Sequence, residues 1–279
     1  MTAGRVRSKK STSRSDPPDT GLPKMSSEKD FGYKMESKAS DAQIAHRELL
    51  YKLFNDRPMP DDQLLICLGL FMRSSALTKI LFVNEAYQLI LNQPGIIVEF
   101  GTWWGQNLVL FENLRAIYEP FNQSRRVIGF DTFTGYPSVS GKDRPSETIK
   151  VGGYKVAENY REYLETLIDY HEKNNVLAAV KKHELVQGDV TKTAPAYFTE
   201  NDDVVIALAY FDMALYEPTK AALEAIKPHL APGSVLMLDE FNNHDYPGET
   251  RAFKEAFKGV SYRVKKSQYM TDRTFIVIQ

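Results

Sequence analysis

The sequence predicts an α/β fold: a mostly parallel sheet wrapped by helices, closed by an antiparallel hairpin and preceded by a helical cap. Three observations predict it. After Gly95, short apolar strands alternate with helical stretches, the pattern of a parallel sheet covered on both faces. The first strand, IIVEF, runs straight into a turn framed by Gly101 and Gly105 and then into the helical stretch GQNLVLFENLRAIYEPF. At the far end, SYRVKKSQ and TFIVIQ face each other across YMTDR with no helix between them, so they form a hairpin.

The elements follow in order. Residues 1–29 are rich in Ser, Lys, Arg and Pro and nearly free of large apolar side chains. Such a segment cannot bury enough surface to offset its ordering entropy, and we read it as a disordered tail. Residues 30–92 read as a helical cap or lid. ASDAQIAHRELLYKLF, PDDQLLICLGLFMR and ALTKILFVNEAYQLILN each repeat apolar residues at helical spacing. Such a cap shapes a substrate pocket or a dimer contact, with plain core packing as the alternative. Residues 93–279 form the α/β domain. Its strands are expected at 96–100, 126–131, 184–188, 204–212 and 234–239, and its helices near 105–118, 157–173 and 217–228.

Bulk properties narrow the function classes. The chain has 279 residues, enough for one large domain with an extension. Lys and Arg number 35 against 36 Asp and Glu, a net charge of -1, so nothing in the balance points to nucleic acid. The single cysteine, Cys67, excludes an internal disulfide and reads as a buried small hydrophobe. No apolar stretch reaches the roughly 20 residues a membrane helix needs, and the N-terminus lacks a signal-peptide core. The expectation is a cytoplasmic protein with no membrane partner.

Nearly every expected strand ends in a carboxylate, at the edge where open α/β sheets bind ligands. Glu99 belongs to the first strand, Asp131 ends the second and Asp189 follows the third. Asp212 ends the fourth, and Asp239 and Glu240 end the fifth. Any one of these alone is a helix cap or a surface charge. Together they would crowd one rim and repel, and a cation or cationic ligand resolves the crowding. S-adenosylmethionine, with its sulfonium, ammonium and ribose diol, is such a ligand.

Roles follow from position. Gly101, Thr102 and Gly105 bring backbone N–H groups to the methionine carboxylate, while Glu99 fixes the turn or the ammonium. Asp131, with Thr132 beside it, accepts from the ribose hydroxyls. Asp189, after Gly188, accepts from the adenine amino group, and Val190 and Phe133 pack the ring. Trp103 lines the cofactor or acceptor pocket, or else packs the core. His244, in the loop FNNHDYPGET, is placed for general-base work near neutral pH, with a plain loop histidine as the alternative. The aperiodic stretch 134–156 could close over the acceptor, and its Lys142, Arg144 and Lys150 either bind an anionic group there or only solvate the loop.

These residues give the chain a resemblance to the macrocin O-methyltransferase family, which methylates sugar hydroxyls. The matching stretches are VEFGTWWGQN, GFDTFTGYP, QGDVTKTAPAYF, YFDMALYEPTKAALEAIKPHLAPGSVLMLDEFN and PGETRAF, within residues 95–257. The resemblance implies a Rossmann-like class I methyltransferase with a seven-stranded sheet, S-adenosylmethionine as donor, and often Mg²⁺ beside the acceptor oxygen. Family members usually read Asp-x-Asp-x-Tyr after the fourth strand and Asp-Asp after the fifth. Here Ala214 stands at the second Asp and Glu240 at the last. Asp212, Asp239 and Glu240 remain as three oxygen ligands for Mg²⁺, so the metal question stays open. The base would then be Asp212, or His244 without metal.

The expected activity is S-adenosylmethionine-dependent O-methylation of a sugar hydroxyl on a natural product, nucleotide sugar or glycan. Two rivals stand beside it: a metal-independent methyltransferase acting on nitrogen, carbon or carboxylate, and a non-catalytic member that binds the cofactor. A nicotinamide-dependent oxidoreductase fits poorly, because GTWWG lacks the G-x-G-x-x-G spacing. The apolar N-terminal helices suit a homodimer.

Overall fold

A computed structural model describes residues 39–279. The tail expected over 1–29 and the first residues of the expected cap lie outside the described residues. Seven strands form one sheet: β1 Ile96–Phe100, β2 Val127–Asp131, β3 His183–Gln187, β4 Ile206–Phe211, β5 Leu230–Leu238, β6 Tyr262–Lys266 and β7 Thr274–Ile278. Their order is β3-β2-β1-β4-β5-β7-β6. Strands β1 to β5 run parallel, whereas β7 pairs antiparallel with both β5 and β6. The hairpin is thus inserted with β7 inside, and β1 sits between β2 and β4. That is the switch point where connections leave in opposite directions and open a crevice at the strand ends.

Helices cover the two faces. One face carries α3 (Ser74–Leu89), α4 (Gln106–Tyr118) and α5 (Tyr160–Lys173), packed through Phe82, Leu108, Phe111 and Leu164 onto Ile97 and Leu208. The other carries α6 (Val190–Glu200), α7 (Tyr216–Ile226) and α8 (Gly248–Ala256), packed through Ala194, Leu223 and Phe253 onto Val98, Phe100 and Leu236. Apolar side chains alternate to both sides of each central strand, which is why IIVEF and IALAYF are buried throughout.

The N-terminal helices divide. In α3, Phe82, Val83, Ala86 and Tyr87 are fully buried, so it belongs to the layer covering the sheet. By contrast, α1 (Asp41–Asn55), started by a Ser40–Gln43 capping box, contributes no buried residue. The expected helix over PDDQLLICLGLFMR is broken into one turn, α2 (Asp61–Leu64), and a 3₁₀ turn at Leu68–Phe71. Leu65, Ile66 and Leu70 are exposed there, and Cys67 is half-buried rather than buried. Helix α6 was not expected, because Pro195 interrupts its sequence signal. No helix of the described residues is long and apolar enough to cross a membrane.

Candidate active site

The carboxyl ends of β1, β2, β4 and β5 open into a cavity of about 380 Å³. Its walls include Gly101, Thr102, Trp103, Asp131, Thr132, Asp189, Val190, Asp212, Asp239 and Glu240, so most of the expected site residues are brought together. Glu99 lies beneath the turn, fully buried, and meets the cavity only through its neighbour Asn107, whose Nδ2 donates to Glu99 Oε1 at 2.7 Å. Burial pushes the Glu99 carboxyl well above its usual range.

The turn after β1 is held by tertiary contacts. Gly101 has φ of 93°, and a Cβ there would stand 2.2 Å from the carbonyl oxygen of Asp212. Only glycine lets the two strand-end loops approach so closely. Asp131 fastens the turn from β2: it accepts from the amide of Trp103 at 2.8 Å and from that of Phe133 at 2.6 Å. Burial raises its carboxyl above the usual range, against the pull of those donors. Trp103 itself has positive φ (49°) and meets Tyr154 edge-on at 5.8 Å. Asp189 caps α6, accepting from the Thr191 amide at 3.0 Å and its hydroxyl at 2.7 Å.

Besides Glu99 and His244, three expected residues do not reach the cavity wall. Phe133 points into the core with 6% exposure. Gly105 starts α4 in the left-handed region, against Leu164. Gly188 closes the β3 turn with φ of 140°.

His244 also lies elsewhere. Its side chain is 83% exposed, and its ring meets the guanidinium of Arg144 at 2.9 Å. A solvated imidazole already engaged by a cation is poorly placed to take a proton in the cavity. The other loop cations have partners too: Lys142 pairs with Glu255 at 3.0 Å and Lys150 with Glu147 at 3.6 Å. The 134–156 stretch is folded back on itself, the Tyr136 amide donating to the Gly153 carbonyl at 3.0 Å and the Gly152 amide to the Tyr136 carbonyl at 2.9 Å, and it presents Tyr136 and Tyr154 to the cavity.

The deepest part of the site holds groups the sequence reading did not single out. Lys79, from α3, places Nζ 3.1 Å from Asp239 Oδ1 and 3.7 Å from Asp212 Oδ2. Arg273, just before β7, pairs with Asp239 Oδ2 at 2.7 Å. The Tyr210 hydroxyl bonds Lys79 and Asp239 and lies 3.2 Å from Asp212 Oδ2. Burial first, and then the charge of Asp239, push the Asp212 carboxyl up to about 6. Lys79 and Arg273 hold Asp239 below its usual value despite its burial. Glu249, on α8, is fully buried and accepts from the amides of Met213 (3.1 Å), Ala214 (3.0 Å) and Glu240 (2.9 Å). It thereby locks the loops after β4 and β5 together.

A second cluster, Glu165, Asp169 and His183, lies at the start of β3, away from the rim. Lys181 and Lys173 pair with its two carboxylates at 2.5 and 3.1 Å, so the cluster is an ion-pair network.

Known proteins are similar to this chain in sequence and fold. Residues 98–241 match the family described as Methyltransferase domain. A curated relative from Streptomyces olivaceus, 8-demethyl-8-(2,3-dimethoxy-alpha-L-rhamnosyl)-tetracenomycin-C 4'-O-methyltransferase, is 28% identical over 175 residues, 56% of this chain. The chain spans only 59% of that relative's length. Among solved structures, the crystal structure of CalS11, a calicheamicin methyltransferase, is 37% identical with a TM-score of 0.80, covering 91% of this chain and 99% of that one. The apo structure of CalS11, described as a TDP-rhamnose 3'-O-methyltransferase of calicheamicin biosynthesis, is 36% identical with a TM-score of 0.74, covering 86% and 96%. The strand order, the acidic rim and these matches agree, and the chain belongs to the methyltransferase-domain family of class I S-adenosylmethionine-dependent enzymes.

Proposed function

We propose that the chain is an O-methyltransferase that moves a methyl group from S-adenosylmethionine to a hydroxyl of a rhamnose-type sugar on a natural product or nucleotide. The observation that carries this reading is the position of Asp212, a carboxylate at the end of β4 facing the same cavity as the Gly101 turn and Asp131. The acceptor class is supported by the relatives' names, which describe methylation of a rhamnosyl tetracenomycin and of TDP-rhamnose.

The chain's residues fit the donor. Glu99 Oε2, Thr102 Oγ1 and Asn107 Oδ1 are buried polar atoms with no hydrogen-bond partner among the described residues, and all surround the β1 turn. Buried acceptors left unpaired are costly, so Thr102 and Asn107 at the cavity wall, with the Glu99 carboxyl behind Asn107, suit a ligand ammonium. Asp131 accepts one amide at each oxygen and keeps lone pairs for ribose hydroxyls. Asp189 and Val190 border the adenine end. A cavity of about 380 Å³ lies within the range of small-molecule sites. When bound, S-adenosylmethionine supplies an electrophilic methyl carbon, which an acceptor oxygen attacks as the carbon–sulfur bond breaks and its electron pair stays on sulfur.

The residues do not fit Mg²⁺. Asp239 Oδ1 accepts from both Lys79 and the Tyr210 hydroxyl and Oδ2 pairs with Arg273, so two cations already neutralise this carboxylate; Ala214 offers no carboxylate, and Glu240 Oε2 accepts from Asn243. No step is therefore assigned to a metal. Asp212 acts as general base, taking the hydroxyl proton as the oxygen attacks. Trp103, Tyr136, Tyr154 and Tyr246 give the cavity an aromatic wall suited to the flat face of a sugar. Binding holds oxygen and methyl carbon in line, where most of the rate gain arises.

The test is to incubate the full chain with S-adenosylmethionine and TDP-rhamnose and to measure S-adenosylhomocysteine and methylated sugar. Formation of both supports the reading. Cofactor binding without turnover on any rhamnosyl acceptor would favour the non-catalytic alternative, and absence of cofactor binding would sink the methyl-transfer reading altogether.

A further inference from the structure

We infer that the Lys79 ammonium occupies the place at the β4–β5 acid pair that a divalent cation would take, so that this chain runs its transfer without a metal. The inference rests on the methyl-transfer reading above and goes beyond it by naming what replaces the ion.

The geometry is that of a bound cation. Nζ sits between Asp239 Oδ1 at 3.1 Å and Asp212 Oδ2 at 3.7 Å, and it shares the Tyr210 hydroxyl with both acids. It lies 4.9 Å from the Tyr210 ring centroid and 5.8 Å from that of Phe82, so the ammonium also faces aromatic surface. The contact between Lys79 and Asp239 is largely removed from water, with side chains 20% and 7% exposed, while the Asp212 side chain, 38% exposed, opens to the cavity.

Charge decides between lysine and metal. Asp212, Asp239 and Glu240, at the ends of β4 and β5, face Lys79 and Arg273, which leaves one net negative charge among these five groups when all are ionised. A divalent ion placed between Asp212 and Asp239 would lie against the Lys79 ammonium and close to the Arg273 guanidinium and be repelled by both. The lysine would have to leave first, abandoning its partners. The carboxylate that the resemblance expected at position 214 is also missing. Ala214 holds that place with φ of 60°, its amide bonded to Glu249. Lys79 is a positioning residue: it neutralises Asp239, fixes the orientation of Asp212, and lines the cavity where an acceptor hydroxyl would enter. It reaches the site because α3 packs against the sheet, so the N-terminal segment completes the active site.

The experiment titrates Mn²⁺ alone into the full chain and reads free Mn²⁺ by electron paramagnetic resonance. Wild type, Lys79→Ala and Lys79→Arg are compared, and calorimetric S-adenosylhomocysteine binding checks that each is folded. Wild type and Lys79→Arg should bind no Mn²⁺ through the millimolar range, whereas Lys79→Ala should gain one site, tighter by about tenfold or more. A lysine that only supports the fold would not create a metal site when removed. Micromolar Mn²⁺ binding by wild type would overturn the inference. So would a folded Lys79→Ala protein that gains no site, because something other than the ammonium would then keep the ion out. Failure of wild type to bind S-adenosylhomocysteine would instead count against the methyl-transfer reading, and the Mn²⁺ comparison separates the two.

Discussion

Asn107 Nδ2 donates to Glu99 Oε1 at 2.7 Å, and the other Glu99 oxygen has no hydrogen-bond partner among the described residues although the side chain is fully buried. A half-satisfied buried carboxyl binds its proton tightly, which is why burial raises Glu99 well above its usual range. An arriving ammonium reverses the preference, since it stabilises the ionised form. Binding of S-adenosylmethionine should therefore release a proton, and its affinity should rise with pH until Glu99 is ionised in the free protein. Calorimetry in buffers of different ionisation enthalpy reads the released proton directly. Glu99→Gln should abolish the release and weaken binding about 10- to 100-fold, the worth of a hydrogen bond to a charged group. A wild-type protein that releases no proton would remove Glu99 from the ammonium site.

Asp212 sets the expected pH profile of turnover. A base must be unprotonated to act, and this carboxyl is pushed up to about 6 by burial and by Asp239. Turnover should fall as pH drops through about 6 and reach a plateau above it. Asp212→Asn should lower kcat by about 10²- to 10⁴-fold, the usual contribution of general-base catalysis, with cofactor affinity little changed. A flat profile between pH 5 and 8 would point to a different base.

Gly101 offers a purely steric test. An alanine Cβ would stand 2.2 Å from the Asp212 carbonyl oxygen, at a φ of 93° that alanine rarely adopts. Backbone cannot yield as a flexible side chain would, so Gly101→Ala should cost at least about 1–3 kcal/mol in urea unfolding and should weaken cofactor binding by shifting the turn. Unchanged stability and affinity would mean that the two loops are free to separate.

The parts of this structure that were legible in the sequence are those written in local patterns. Strands β1 to β5 show as apolar runs, and the hairpin shows because YMTDR leaves no room for a helix. The acids of the rim were legible for the same reason, since each directly follows a strand. Lys79 and Arg273 were not. Lys79 lies in an apolar helix before the first strand and reads as a surface lysine, while Arg273 follows a hairpin turn. Only the packing of α3 on the sheet and the placement of β7 beside β5 bring both cations onto Asp239. Glu249 was hidden similarly: its three amide partners come from two loops, 9 to 36 residues away in sequence. Phe133 read as a ring-packing residue, and His244 read as a base instead of as the plain loop histidine left open beside it, fail in the opposite direction, because adjacency to a strand end does not fix whether a side chain turns into the cavity, the core or the solvent.

Arg125 is where the N-terminal helix layer is fastened to the sheet. Only 1% exposed, it donates to the carbonyls of Gly95 at 2.6 Å, Ile90 at 3.0 Å and Gln93 at 2.7 Å, and it pairs through Nε with Glu119 at 2.8 Å. Those carbonyls form the link between α3 and β1, so the same guanidinium anchors the C-terminal end of the helix that carries Lys79. Lysine cannot replace it, because a single ammonium lacks the planar fork that reaches three carbonyls and a carboxylate at once. Removing one partner of a buried ion pair typically costs about 3–5 kcal/mol, or about 6–20 °C in Tm for a domain of this size. Arg125→Ala should fall in that range and Arg125→Lys should recover only part of the loss, with Tyr87, which hydrogen-bonds Glu119 at 2.6 Å, losing its fixed partner. Scanning calorimetry reads the stability, and Mn²⁺ titration of the still-folded Arg125→Lys variant reads whether Lys79 has shifted. A Tm within a degree or two of wild type would show that α3 is held by its apolar face alone, through Phe82, Val83 and Ala86.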